Sequence, residues 1–536
     1  MSTTTTAPTP YQSTQPAGRD GFPQLLRAEW TKFRTVRGWV IAIVAAALVI
    51  ALATVYLASG AQNHNTRPNV ATGPGGEAVT DTFYFVRQPL DGNGSITVRV
   101  TSLTGTGQPT PRPDGFTGPP LTEPWAKAGI IMKQSTAPGS PYAAIMATPG
   151  HGVRMQDNFT QDTAGPAGAV AAASPRWLRL TRSGDTLTGY SSANGTSWTM
   201  VGRASLAGLP STVQAGLFVA SPQDLQATQT FGGNNNGGGG PTQATAIFDH
   251  VSLQGQFPGH AWRGGQIGAG ELTPFGRVHA CIGQNCQKSV KEPDGFKASG
   301  GTFTVAGSGD IAPYQPIVDP LQVTFYGALF GLITVIALGT LFITAEYRRG
   351  MIRTTLAASP RRGRVLTAKA IVIGSVAFVA GLAGAAIAFP IAEHKLQAEG
   401  WAPPVYLPIS LLSGTGLRVV VGTAALTAVT AILALAAGTV LRRSAGAITA
   451  VIGLVIFPLV LSIILPLAPA DWLLRLTPAA AFGLQQAIPR YSQVNTSCLP
   501  YNGCYPLAPW TGFAVLCLWA AAALAVAVFL LRRRDA

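Results

Sequence analysis

Six stretches of this 536-residue chain, at about 39–59, 321–344, 370–391, 419–441, 446–468 and 509–531, contain no Asp, Glu, Lys or Arg. Each is long enough to cross roughly 30 Å of hydrocarbon as a helix of about 20 residues. A bilayer offers no water to backbone N–H and C=O groups, so such segments must close their hydrogen bonds internally. No other feature limits the fold as tightly. The first run follows 38 residues and exceeds the roughly 7–15 apolar residues of a signal-peptide core. It reads as a retained anchor.

The formal net charge of +15 is unevenly spread. With the N-terminus inside the cell, the inner segments hold Arg19, Arg27, Lys32, Arg34, Arg37, Arg348, Arg349, Arg353, Arg361, Arg362, Arg364, Lys369, Arg442, Arg443 and Arg532 to Arg534. Four acids accompany these 17 bases, whereas residues 60–320 carry 16 bases and 15 acids. The positive-inside rule then orients the chain, with N- and C-termini cytoplasmic in a multi-pass plasma-membrane protein. The stretch "TAEYRRGMIRTTLAASPRRGR" at 344–364 needs no nucleic acid to explain it: its arginines hold a loop inside, against anionic head groups. Ahead of the first run, "FPQLLRAEWTKFRTVRG" spaces Leu25, Leu26, Trp30 and Phe33 as one face of a helix, with Glu29 and Lys32 between. That suits an interfacial helix following a disordered tail, the two filling residues 1–38.

Between the first two runs the pattern changes to alternation. "SITVRVTSL" puts Ile96, Val98 and Val100 on one face and Thr97, Arg99 and Thr101 on the other. Further short runs separated by Gly-Asn and Asn-Gly turns indicate an antiparallel sandwich over 60–255. "GGNNNGGGG" at 232–240 reads as a flexible loop, and 256–320 as a loop-rich stalk. "DTFYFVRQPLDGNGSITVRVTSL", "WAKAGIIMK", "SPYAAIMATPGHGVRMQ" and "RWLRLTRSGDTLTGYSSANGTSWTMVG" resemble the concanavalin-like jelly-roll family. Modules of that kind often bind carbohydrate, so Trp125, Trp177 and Trp198 are candidates for stacking on extracellular sugar. No close acidic set supplies the two carboxylates of a glycosidase.

Cys281 and Cys286, and Cys498 and Cys504, form two close pairs in the expected outer segments, and Cys517 lies in a span. Close pairs on the oxidising side read as two short disulfides. A zinc site joining His279 to the first pair lacks the usual four-ligand spacing, so no metal is expected. There is no Gly-x-x-x-x-Gly-Lys-Ser/Thr loop for ATP phosphates and no His-Glu-x-x-His. Nor do the spans carry the carboxylates or histidines of a proton relay. They carry small residues instead, Ala377, Gly381 and Ala385, then Ala434 and Gly438, which let helices approach closely.

"EYRRGMIRTTLAASPRRGRVLTAKA" and "LRAEWTKFRTVRGW" resemble the corresponding segments of actinobacterial ABC-2-type permeases. The resemblance implies a six-span half of a membrane pore, read here as an exporter. It implies a second half, in a homo- or heterodimer, and a separate ATP-binding subunit that keeps the ATP and magnesium. This chain would hold no cofactor and no catalytic residue. By position, Glu346, Tyr347, Arg348, Arg349, Gly350, Arg353, Pro360, Arg361 and Arg362 would form the docking element within the coupling loop 345–369. Glu29, Trp30 and Lys32 would lie on the interfacial connecting helix. Glu346, one acid among six arginines, is expected to need a basic partner, on the ATPase or a neighbouring arginine. The sandwich is then an insertion larger than the family's usual outer loop. The competing reading is a membrane-anchored carbohydrate binder or sensor, for which one span would suffice.

Overall fold

A computed structural model describes residues 21–62, 70–107, 122–232, 235–240, 242–259, 261–268, 281–282, 285–286, 294–358, 361–494, 498–499 and 502–534. Helix α1 (Phe22–Thr35) stops at Val36, which is extended, and α2 (Arg37–Gly60) carries the first apolar run. The second run forms α3 (Pro320–Phe325) and α4 (Ala328–Arg348), followed by the short α5 (Met351–Ala358). Next come α6 (Arg362–Ala398), α7 (Gly414–Leu441), α8 (Ser444–Val455), α9 (Phe457–Ile464) and α10 (Leu467–Leu476). A 3-10 helix (Pro478–Gln485) and α11 (Pro509–Arg534) complete the set.

Among the described residues, five helical segments are each long and apolar enough to cross a membrane: α2, α3–α4, α6, α7 and α11. The fifth crossing expected over 446–468 is a pair of helices, α8 and α9, bent by 44°, and counts as a sixth span if the pair is taken as one. Pro458 in the first turn of α9 has no amide hydrogen to continue the ladder, so the helix breaks there. After the bend the end of α10 meets α11, where Trp519 donates its indole N–H to the Leu476 carbonyl at 2.9 Å.

Small residues mark the closest helix approaches. A Cβ on Gly381 would overlap the Thr427 hydroxyl and sit 3.0 Å from Ala424 Cα, so α6 and α7 meet backbone to backbone there. Ala377, Ala385 and Ala434 are buried beside these contacts. The runs are clean of charge only between their ends, because α6 extends past the apolar stretch and buries Lys369 at one end and Glu393 at the other. The Tyr406 hydroxyl donates to Glu393 at 2.6 Å.

The chain between α2 and α3 is β-rich and antiparallel. Its spine is the long strand Phe83–Gly107, which pairs with Thr212–Ala220, Arg176–Ser183, Thr242–Gln256 and Arg263–Ile267. Alternation holds as expected: Ile96, Val98 and Val100 are buried, while Arg99 reaches across to Asp249 at 2.6 and 2.8 Å. Two expectations are corrected. Asn235–Gly240, read as loop, pairs with Asp224–Gln229 as a hairpin. The segment 256–320, read as stalk, contributes strands Arg263–Ile267, Gly295–Ser299, Thr302–Gly307 and Ile311–Pro313.

The β region sits on the helix ends remote from the arginine loop. Ala78 N–H donates to the Pro404 carbonyl at 2.9 Å and Gln493 to the Phe159 carbonyl at 3.2 Å. The hairpin adds Gln229 to the Ser462 carbonyl at 2.7 Å and Gly232 N–H to the Ile464 carbonyl at 3.0 Å. Cys498 and Cys504 form a disulfide beside this contact zone, with Cα atoms 5.2 Å apart. Cys281 pairs in register with Cys286 in a two-residue ladder; the structure describes the backbone of these two residues but not the side chains on which the expected disulfide falls.

Within the sheet, Lys133 is fully buried and donates to Asp81 at 2.7 Å and to the Ser140 carbonyl at 2.8 Å. Asp81 also accepts from Gly139 N–H at 2.7 Å. Removing one member strands the other charge in a dry site, at a cost of about 3–5 kcal/mol. Lys133→Met should therefore unfold the β region at markedly lower denaturant, and the pair Lys133→Met with Asp81→Asn should recover part of the loss. Tryptophan fluorescence during urea titration checks both.

Candidate functional site

The buried face of α1 is not the apolar stripe alone. Leu26 and Phe33 pack inward, but between them lies Glu29, only 1% exposed, whereas Trp30 is 47% exposed. Glu29 is tolerated there because three other charges converge on it. Lys369, from the first turns of α6, donates to Glu29 Oε2 and to Glu346 Oε1, each at 2.7 Å. Lys32 donates to Glu29 Oε1 at 2.9 Å and to Glu346 Oε1 at 3.1 Å. Two carboxylates and two ammonium groups thus form a neutral ring joining α1, the end of α4 and the start of α6.

Aromatic rings roof this ring of charges. Phe342, one helical turn before Glu346, lies 5.0 Å from Lys369 Nζ and 5.0 Å from the Trp39 ring, and Phe33 stands 6.2 Å away. The rings exclude water, which strengthens each ion pair and raises the penalty for breaking one. Burial alone would lower the Lys32 ammonium, but its bonds and charges from Glu29 and Glu346 outweigh that and raise it. Glu346 therefore finds its basic partners inside the chain, in Lys32 and Lys369. The expected ATPase residue or neighbouring arginine is corrected.

The remaining docking candidates fall into two groups. Arg348 and Arg349 end α4, both exposed, and Gly350 turns the chain with φ +70° into α5. In α5, Ile352 is buried against the bundle and Arg353 points outward. Tyr347 lies under the Arg442 guanidinium at 5.2 Å, which links α4 to the end of α7. Arg361 and Arg362 stand apart from these, at the start of α6, where Arg362 donates to the Leu531 carbonyl of α11 at 2.8 Å. Pro360 lies outside the described residues.

Lys369 was legible only as a topology charge, and Arg442 likewise; nothing in the local sequence links either to α1 or α4. The signal available was the pairing of one isolated acid before each base-rich segment, Glu29 and Glu346. The three tryptophans differ in their surroundings. Trp125 is buried, stacked on His151 at 3.8 Å. Trp177 meets Arg99 at 5.7 Å and His250 at 5.3 Å, and Trp198 lies under Arg179 at 4.0 Å. Among the described residues no three His, Cys, Asp or Glu gather as a metal site.

Over residues 24–536 the chain matches the family model described as ABC-2 family transporter protein. The chain belongs to that family. It is a multi-pass membrane protein and a transport component of the ABC-2 kind. No curated protein matches it. Among solved structures, a functionally unknown protein from Saccharomyces cerevisiae is 16% identical, with TM-score 0.20, over 33% of this chain and 76% of that one. Two structures of Scytalido-glutamic peptidase with transition-state analogues are 7% and 9% identical, each with TM-score 0.23, over 42% of this chain and 98% of theirs.

Removing one buried member of the ring leaves an odd charge among the aromatics. Lys369→Met or Glu29→Ala should each destabilise the bundle by about 3–5 kcal/mol. Lys32→Ala, whose ammonium is partly solvated, should cost at most about 1 kcal/mol. Far-UV circular dichroism during denaturant titration of the detergent-solubilised protein gives the ranking. Gly350→Ala, which meets no neighbour but must keep positive φ, should cost about 1–2 kcal/mol in the same assay.

Proposed function

We propose that this chain is half of an exporter pore whose power stroke arrives from a separate ATP-hydrolysing subunit at the α4–α5 turn. The observation that carries the reading is the charge ring. It makes α1, α4 and α6 one mechanical unit directly behind an exposed cationic turn, Arg348, Arg349 and Arg353. A partner pressing on that turn moves the ring, and the ring moves three helices together. The chain itself contributes no hydrolytic group to the scheme; ATP and magnesium belong to the partner, and a second permease half completes the pore.

The arginine-rich end is read as cytoplasmic on the positive-inside rule, which puts the β region outside the cell as a jelly-roll-like module. In that position it caps the pore exit. Carbohydrate binding by Trp177 and Trp198 is the secondary reading for this module, supported by their partial exposure.

The test is co-purification. Arg348→Ser, Arg349→Ser and Arg353→Ser combined should leave the solubilised bundle folded, since all three side chains are exposed. The variant should lose the co-purifying ATPase subunit and its transport-stimulated hydrolysis. Equal recovery of an ATPase with native and triple-variant chains would remove the assignment.

A further inference from the structure

The groove between α6 and α11 takes no part in the charge ring. Its apolar length, about 500 Å³, is walled by Leu366, Ala370 and Ile371 of α6, Ile432 of α7, and Leu524 and Phe529 of α11. Towards the arginine end it opens into a second hollow of about 720 Å³, bordered by Arg361, Arg362, Gly363, Arg364 and Arg532. Thr367, Val528 and Arg532 border both hollows, so they are one continuous groove. Among the described residues no carboxylate lines either part.

The two halves ask for different chemistry in one molecule. From Leu524 to Arg532 the α11 wall runs about 12 Å along the helix axis, and Phe529 on it and Ile371 on the facing α6 are exposed. Hydrocarbon is the medium this stretch can tolerate. At the mouth, four guanidinium groups gather where the helices leave the apolar zone, and like charges held together without an acid attract an anion. Arg362 is fixed by its bond to the Leu531 carbonyl, which pins the start of α6 to the last turns of α11 and keeps the mouth formed. A Cβ on Gly363 would lie 3.7 Å from both Arg532 Nη2 and Val528 Cγ1, so Gly363 faces α11 at this mouth. The first turn of α6, which no side chain caps, adds the partial positive charge of a helix start.

We propose that this groove binds one anionic phospholipid, its phosphate at Arg361, Arg364 and Arg532 and an acyl chain along Ile371, Leu524 and Phe529. A free phosphate would leave the apolar length unused, and a zwitterionic lipid would bring its own cation to the arginines. The site is separate from the ATPase reading: the α4–α5 turn does not border it, and it assigns Arg361 to lipid and Arg362 to holding the mouth, in place of partner docking.

The experiment is native mass spectrometry of the full chain, released from mild detergent after incubation with phosphatidylglycerol or phosphatidylcholine. The native chain should retain one phosphatidylglycerol at least tenfold more than phosphatidylcholine. Each arginine near an anionic head group is worth about fivefold, so Arg361→Gln, Arg364→Gln and Arg532→Gln combined should abolish the preference. Ala525→Trp, at an exposed position on the apolar wall, should lower retention of both lipids. Circular dichroism keeps a misfolded variant from counting as a result; for such a variant Gly363→Trp, which fills the mouth, replaces it. Equal retention of the two lipids by the native chain would overturn the proposal. So would an unchanged preference in the triple variant, or thermal protection by inorganic phosphate equal to that by phosphatidylglycerol.

Discussion

Four charges, three of them buried, where three helices meet are the constraint on which the arginine-side half of this protein rests. Taking Glu29, Glu346 and Lys369 out of water is costly, and an apolar cluster of equal volume would hold the helices together as well or better. What the ring adds is geometry. Lys369 donates to both carboxylates at 2.7 Å, so α1 and α4 are placed relative to α6 by directed bonds, which a greasy contact would leave free to slide. The amphipathic helix α1 could otherwise lie on a membrane surface in many azimuths. Glu29 admits one.

The opposite end is organised by backbone groups instead of charge pairs. Asp319 caps α3 by accepting from Gln322 N–H at 3.0 Å, and it also accepts from Ala487 at 2.6 Å and Ile488 at 3.0 Å. One carboxylate therefore binds the entry of the second span to the loop after the 3-10 helix. The last carbonyls of a helix have no partner within it. Those of Ser462 and Ile464, at the end of the bent pair, are met by Gln229 and Gly232 of the β hairpin. The β region thus closes the hydrogen bonding of a broken helix, and the break at Pro458 puts those carbonyls where a hairpin can reach them.

Period was the reliable guide in the sequence, and partnership was the unreliable one. The charge-free runs gave the helices, and alternation at Ile96, Val98 and Val100 gave the spine strand, because both depend on neighbours in the chain. The bend in the fifth run was foreshadowed by Pro458 but hidden by the continuity of the apolar pattern. The hairpin at Asn235–Gly240 was hidden for a different reason: glycine and asparagine have weak strand preference, and only pairing with Asp224–Gln229 makes them extended. Glu29 with Lys369 is separated by 340 residues, a contact no local pattern can disclose. The isolated acid Glu346 was conspicuous, and its need for a base was sound; which base it met depended on the fold.

Helix α6 connects these two regimes. From Arg362 to Pro390 it runs about 42 Å on continuous backbone hydrogen bonds, longer than the roughly 30 Å of hydrocarbon it has to cross. Lys369 fixes one end to α1 and α4, and Gly381 presses its middle against α7 without a side chain between. Only at Pro390 does the ladder lose a donor, one turn before Glu393 takes the Tyr406 hydroxyl beneath the β region. The helix is therefore a continuous rod from the charge ring to its first missing donor, which lies next to the β region. The order of these contacts follows from the position of one lysine and one proline on the same helix.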